Sequence, residues 1–313
     1  MRKMTIVLLI LLTIIILLLA ATSAYFYKVA VERGPKTFLD TSEDLKQSTD
    51  GSISEKAKKW IGNQNLQQIS LKSDDGLNLN GYYLSAKKPS DKTVILAHGY
   101  AGQAMDMAKF AKMYHEQYGF NVLMPDARGH GKSEGDYIGF GWHERKDYLK
   151  WIDRMVEQNG GDSNILLHGV SMGGATVLMT GGEILPTQVK AIIEDCGYTS
   201  AEGVLTYQLK QMYQLPKFPI VPSTSLYTKI KDGYSFSEAS ALKQVKKVKL
   251  PILFIHGEED TFVPVEMVHE LFENAQTTKK LYLVPGAQHG NAYDVNTKEY
   301  QQQVTDFLNQ IAF

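Results

Sequence analysis

Six consecutive residues, Gly169-Val170-Ser171-Met172-Gly173-Gly174, constrain this chain more than any other feature. They follow the short apolar run 165–167 and open a helix-length segment, 172–180. A serine between glycines at a strand-to-helix turn is the G-x-S-x-G nucleophile elbow. The turn is so tight that side chains around the serine would collide, which explains the glycines. It lifts the serine hydroxyl above the sheet and leaves the backbone N–H of Met172 free to receive a developing oxyanion. A chain carrying this turn must therefore supply a strand before it, a helix after it and a base above it.

The remaining sequence meets the first two demands many times over. Residues 66–71 and 77–84 flank Asp74-Asp75-Gly76, a strand–turn–strand signal. Short apolar runs recur at 94–97, 122–124, 165–167, 191–193, 252–255 and 281–284. Helix-length segments lie between them at 104–117, 144–159, 172–180 and 265–275, and 297–311 would close the chain. Such alternation predicts an α/β fold, a mostly parallel sheet with helices on both faces. The interval 198–249 has no comparable strand. It carries Tyr207, Tyr213, Phe218, Tyr227, Tyr234 and Phe236 with Pro216, Pro219 and Pro222. That is too long for an ordinary connection and is expected to form a cap.

The amino-terminal end obeys a different rule. Residues 1–24 hold 18 hydrophobic side chains and two charges, Arg2 and Lys3. The uncharged stretch 4–27 is long enough to cross a bilayer, and the two basic residues would keep its start in the cytoplasm. Residues 1–27 are thus expected to be a transmembrane anchor with the remainder outside the membrane. The competing reading is a signal peptide cleaved after Thr22-Ser23-Ala24, giving a secreted protein. Tyr25, Phe26 and Tyr27 beside Lys28 resemble an interfacial belt and favour the anchor. Residues 28–62, polar and charged with a turn signal at Thr49-Asp50-Gly51, read as a stalk with a helix expected at 55–60. The hydrolytic domain would then be 63–313.

Composition removes other classes. The whole chain has 33 Lys+Arg against 34 Asp+Glu, so nothing suggests a nucleic-acid partner. The single cysteine, Cys196, excludes an internal disulfide framework and a multi-cysteine metal cluster.

Serine needs a positioned base, and the base needs a carboxylate. His289, in Gly286-Ala287-Gln288-His289-Gly290, follows the last strand run and suits the base. The other seven histidines lie in early loops, strands or helices and read as backbone-bonding or surface residues. Asp260 stands just past the run 252–255, after Ser171 and before His289, in the order serine, acid, histidine. Asp195, at the end of 191–193, is its competitor. His98-Gly99-Tyr100-Ala101-Gly102 follows the run 94–97 and offers the N–H of Tyr100 as a second oxyanion donor.

Together with Asp126-Ala127-Arg128-Gly129-His130-Gly131-Lys132-Ser133, these segments resemble the α/β-hydrolase superfamily over roughly residues 63–313. The branch most resembled holds bacterial serine hydrolases labelled serine aminopeptidase-like, near monoacylglycerol lipases and carboxylesterases. The resemblance implies an eight-stranded sheet, a cap after strand six, catalysis by Ser171, Asp260 and His289, and oxyanion donors at Tyr100 and Met172. It implies no metal and no organic cofactor. The segment 126–133 lacks the frame of a phosphate-binding loop and reads as structural.

The resulting expectation is a serine hydrolase cleaving carboxylic esters of small or medium acyl chains through an acyl-enzyme at the outer face of the membrane. Its partners would be a small ester substrate and the bilayer. A peptidase is the enzymatic rival; it would need an acid near the cap for a substrate amine, and Glu202 and Glu238 are the only glutamates there. A non-catalytic surface binding protein on the same fold is the rival of a different class.

Overall fold

Each expected β-branched run becomes a strand. The computed structural model describes residues 2–41 and 52–313, and the expected turn at Thr49-Asp50-Gly51 lies outside them. The strands are β1 (Gln67–Lys72), β2 (Asn78–Leu84), β3 (Lys92–Ala97), β4 (Asn121–Pro125), β5 (Asn164–Val170), β6 (Val189–Asp195), β7 (Ile252–Gly257) and β8 (Lys279–Val284). They form one sheet in the order β1-β2-β4-β3-β5-β6-β7-β8. β2 is antiparallel to both its neighbours, and every pairing from β4 onward is parallel. The central strands are buried on both faces, which is why they read as continuous apolar runs instead of alternating ones.

The helices are α1 (Arg2–Ala30), α2 (Ser52–Gly62), α3 (Ala108–Gln117), α4 (Glu144–Asn159), α5 (Met172–Gly181), α6 (Ala201–Tyr213), α7 (Ile220–Asp232), α8 (Ala241–Val245), α9 (Glu266–Asn274), α10 (Ala292–Val295) and α11 (Thr297–Gln310). One core packs α4, α5 and α9 on a face of the sheet, with Trp151, Ile152, Leu178 and Leu271 fully or nearly fully buried. The opposite core packs α2, α3 and α11, with Phe110, Tyr114, Val304 and Phe307. α6, α7 and α8 lie in the insertion between β6 and β7, where no strand was expected. The helix expected from residue 104 starts one turn late, because Ala104–Met107 is a 3-10 turn.

The α1 helix is long and apolar enough to cross a membrane by length and composition. Its last turns are not free in solvent. Ser23 and Tyr27 are buried, and the Tyr27 ring lies 5.2 Å from that of Tyr227 on α7. The residues that follow, read from sequence as the start of a stalk, are docked on the domain. Val31 is buried, and its carbonyl accepts the Ile138 N–H. Lys36 donates through Nζ to the Val29 and Glu32 carbonyls, closing the end of α1. Arg33 donates to the carbonyls of Gly131, Ser133 and Gly135. Polar side chains that look like a solvated linker are here spent on backbone carbonyls of a distant loop, a pairing no local pattern reveals.

Candidate active site

The carboxyl ends of the parallel strands converge on one point, the usual location of a site in an open α/β sheet. Ser171 leaves β5 with φ 57° and ψ −117°, a strained conformation for a residue with a side chain. Two glycines make room for it. A Cβ on Gly169 would fall 2.0 Å from the Gly173 carbonyl oxygen, and one on Gly173 would fall 2.0 Å from that of Ala97. The Ser171 N–H donates to the Asp195 carbonyl at 2.8 Å, fixing the turn against β6. Its Oγ is 2.8 Å from His289 Nε2. The other ring nitrogen, Nδ1, lies 2.7 Å from Asp260 Oδ2, so the histidine bridges the serine and the acid.

Asp260 is held on every side. Its Oδ1 accepts the N–H groups of Phe262 and Val263 at 2.9 and 2.7 Å. His256 Nε2 lies 3.3 Å from Oδ2 while also meeting the Val263 carbonyl at 2.8 Å. Burial alone would raise the Asp260 carboxyl, but His289 and His256 outweigh it and hold the group well below the usual carboxylate range. An ionised, oriented acid next to the imidazole fixes its tautomer and its orientation toward the serine. The Phe262 ring, 4.9 Å from that of His289, covers the histidine.

The loop after β3 passes directly beside the serine, since a Cβ on Gly99 would lie 3.4 Å from Ser171 Cβ. Two buried histidines brace this loop. His98 Nε2 accepts the Ala127 N–H at 3.0 Å, and His130 Nε2 accepts the Ala101 N–H at 3.3 Å. Burial lowers both, His130 to about 3, so each stays neutral and keeps a lone pair for its acceptor role. Asp126 ties the neighbouring loop by accepting the N–H groups of Ala104 and Lys132 at 2.8 and 2.9 Å. Thus 126–133 has the structural role expected of it.

The sequence profile of the prolyl oligopeptidase family matches residues 107–312. The chain belongs to the prolyl oligopeptidase family. The uncharacterized protein YqkD of Bacillus subtilis (strain 168) is 30% identical over 234 residues, which cover 75% of this chain and 76% of that one. The uncharacterized protein YfhR of Escherichia coli is 27% identical over 250 residues, 77% of this chain and 80% of the other. Among solved structures, the esterase Pf2001 of Pyrococcus furiosus has a TM-score of 0.64 and 26% identity, covering 79% of this chain and 92% of that chain. The acylaminoacyl peptidase of Pyrococcus horikoshii has a TM-score of 0.61 at 16% identity and shares the fold. These likenesses establish the α/β-hydrolase fold with esterase- and peptidase-type relatives.

In this prolyl oligopeptidase-family chain the competing acid, Asp195, sits behind the serine. Its Oδ2 accepts from the Tyr300 hydroxyl at 2.8 Å, and burial raises its carboxyl. Cys196 adopts φ 47° beside it, and burial pushes the thiol far above its ordinary value. Cys196, Asp260 and His289 offer atoms within 4.8 Å of one another. Asp260 Oδ2 already meets His289 Nδ1, and a protonated thiol is a poor metal ligand.

Above Ser171 lies an apolar cleft of about 840 Å³, counting its solvent-open mouth. Phe140 and Phe262 wall it near the serine, Tyr213 and Ile220 come from the cap, and Phe26 and Ala30 come from α1. The α1 contribution escaped sequence reasoning, which treated the anchor as separate from the site. Tyr100 joins the two: its ring stacks on Phe140 at 5.6 Å, and its hydroxyl donates to the Ala30 carbonyl at 2.7 Å. His256 was missed as well, because a histidine ending a strand carries no local mark of its distant partners.

Proposed function

We propose that the chain is a serine hydrolase that cleaves carboxylic ester bonds. The observation that carries this reading is His289, set between Ser171 Oγ at 2.8 Å and Asp260 Oδ2 at 2.7 Å at the base of an apolar cleft. In this mechanism Ser171 Oγ attacks the ester carbonyl while His289 Nε2 takes its proton. The N–H groups of Met172 and Tyr100 receive the oxyanion. The tetrahedral adduct collapses, the C–O bond to the alcohol breaks, and His289 returns the proton to the leaving oxygen. Water then attacks the acyl-serine with His289 again as base, releasing the carboxylic acid and restoring Ser171.

Esters are favoured over peptides because no acid of the cap lines the cleft to hold a substrate amine; Asp232 instead accepts from the Tyr27 hydroxyl at 3.2 Å. Glu202 pairs with Lys217 at 2.5 Å and Glu238 with Lys229 at 2.9 Å, and neither lines the cleft. The esterase likeness agrees with this reading. The peptidase members and relatives keep the amide alternative open to test. The α1 helix anchors the enzyme with Arg2 and Lys3 on the cytoplasmic side and the catalytic domain outside.

Labelling by a fluorophosphonate probe tests the reading. The native chain should label, and Ser171→Ala should abolish both labelling and turnover, lowering kcat by at least about 10⁴-fold. Folded protein that fails to label would make it a binding protein. Faster turnover of aminoacyl amides than of p-nitrophenyl esters would make it a peptidase.

A further inference from the structure

The anchor and the cleft are parts of one surface. The carboxyl ends of α1 and α7 meet at the same loop: Val31 accepts from the Ile138 N–H, and the Tyr234 hydroxyl donates to the Ile138 carbonyl. Glu32 also faces Lys231, and Tyr27 faces Tyr227. The two helices therefore run in the same direction. α7 has 13 residues, a length of about 20 Å. Its amino-terminal end thus reaches back along α1 toward the apolar span.

The position of the bilayer follows from the helix itself. Residues 4–22 would rise about 28 Å, close to the roughly 30 Å of a hydrocarbon core. The outer boundary then falls near Tyr25, an exposed aromatic, one residue before Phe26 of the cleft wall. At the end of α7 that reaches back along α1, the cap presents Phe218, 77% exposed, immediately before Pro219 and Ile220. Met212, at the end of α6, is also exposed. The Phe26 and Tyr213 rings, 5.3 Å apart, and Ile220 line the cleft on this side. An exposed aromatic beside an apolar opening, on the end of a helix that runs back along a membrane-spanning one, has a bilayer as its natural cover.

We propose that the enzyme draws its substrate directly from the outer leaflet: an amphiphile carrying one acyl chain in ester linkage. Phe218 seats the cap in the headgroup region. The acyl chain enters past Phe26, Tyr213 and Ile220, and the ester reaches Ser171 without crossing bulk water. This inference rests on the serine-hydrolase and anchor readings above, and its chemistry is the same hydrolysis.

The full chain reconstituted in phosphatidylcholine–phosphatidylglycerol vesicles provides the test. Two esters with one leaving group are compared, p-nitrophenyl decanoate within the vesicles and p-nitrophenyl acetate in solution. Phe218→Glu should lower decanoate turnover by at least about fivefold, the loss of one seated aromatic, and leave acetate turnover unchanged. Phe218→Trp should add fluorescence that brominated lipids quench. Loss of both activities together, unchanged decanoate turnover, or an unquenched Trp would each overturn membrane delivery while leaving the hydrolase reading intact. Failure of the native chain to cleave either ester would overturn the hydrolase reading, and this inference with it.

Discussion

Two aspartates end or follow adjacent parallel strands, and both are buried within a few ångströms of the serine turn. Asp195 closes β6 and is raised by burial, with the Tyr300 hydroxyl its partner. Asp260 follows β7 and is held low, between two imidazoles and two backbone N–H groups. The same residue type at the same depth takes opposite proton affinities because only one has donors arranged around both oxygens. Burial alone makes an acid; burial with donors makes an anion able to support a histidine.

Substituting each aspartate by asparagine probes this contrast most strongly. Asp260→Asn should lower kcat by about 10⁴-fold through the wrong His289 tautomer. Asp195→Asn should change it by less than about tenfold, since an amide oxygen still accepts from Tyr300. Steady-state kinetics on one ester measures both, and equal losses would erase the distinction. His256→Leu sharpens it at intermediate size. It leaves the Val263 carbonyl without its His256 partner and should cost about 1–3 kcal/mol of stability, read by denaturant unfolding.

The smallest effect concerns the neighbour of Asp195. Glu194 is raised by burial to about 8, and one oxygen accepts from the Gly197 N–H. In the folded chain it keeps its proton up to that pH, whereas an unfolded glutamic acid loses it near about 4.3. Between those values the unfolded state binds fewer protons, so this group makes stability fall as pH rises. Glu194→Gln should flatten that part of the Tm–pH curve and raise Tm at pH 8 by a few degrees. An unchanged slope would assign the pH dependence to other groups.

Much of the fold was legible because its signals are local. A strand buried on both faces must be apolar throughout, and the elbow must carry glycine where a Cβ would strike a carbonyl 2.0 Å away. The α/β sheet and its strand positions could therefore be read from runs and turns, as could Ser171 as a candidate. Choosing Asp260 over Asp195 depended on chain order and resemblance, because the donors that separate them come from residues 256, 262, 263 and 289. The docking of residues 28–38 was hidden, since Arg33 and Lys36 look like any solvated cations until the carbonyls they meet are known.

By itself, the sequence determined the eight strands, the serine turn and the apolar helix, each written in the spacing of neighbouring residues. The tertiary structure alone decided that the end of that helix becomes a wall of the cleft, through Phe26, Ala30 and the Tyr100 hydroxyl. The physical reason is distance along the chain. Periodicity and turn chemistry act over a few residues, while a contact between residues 30 and 100 exists only once the sheet has brought its strand ends together.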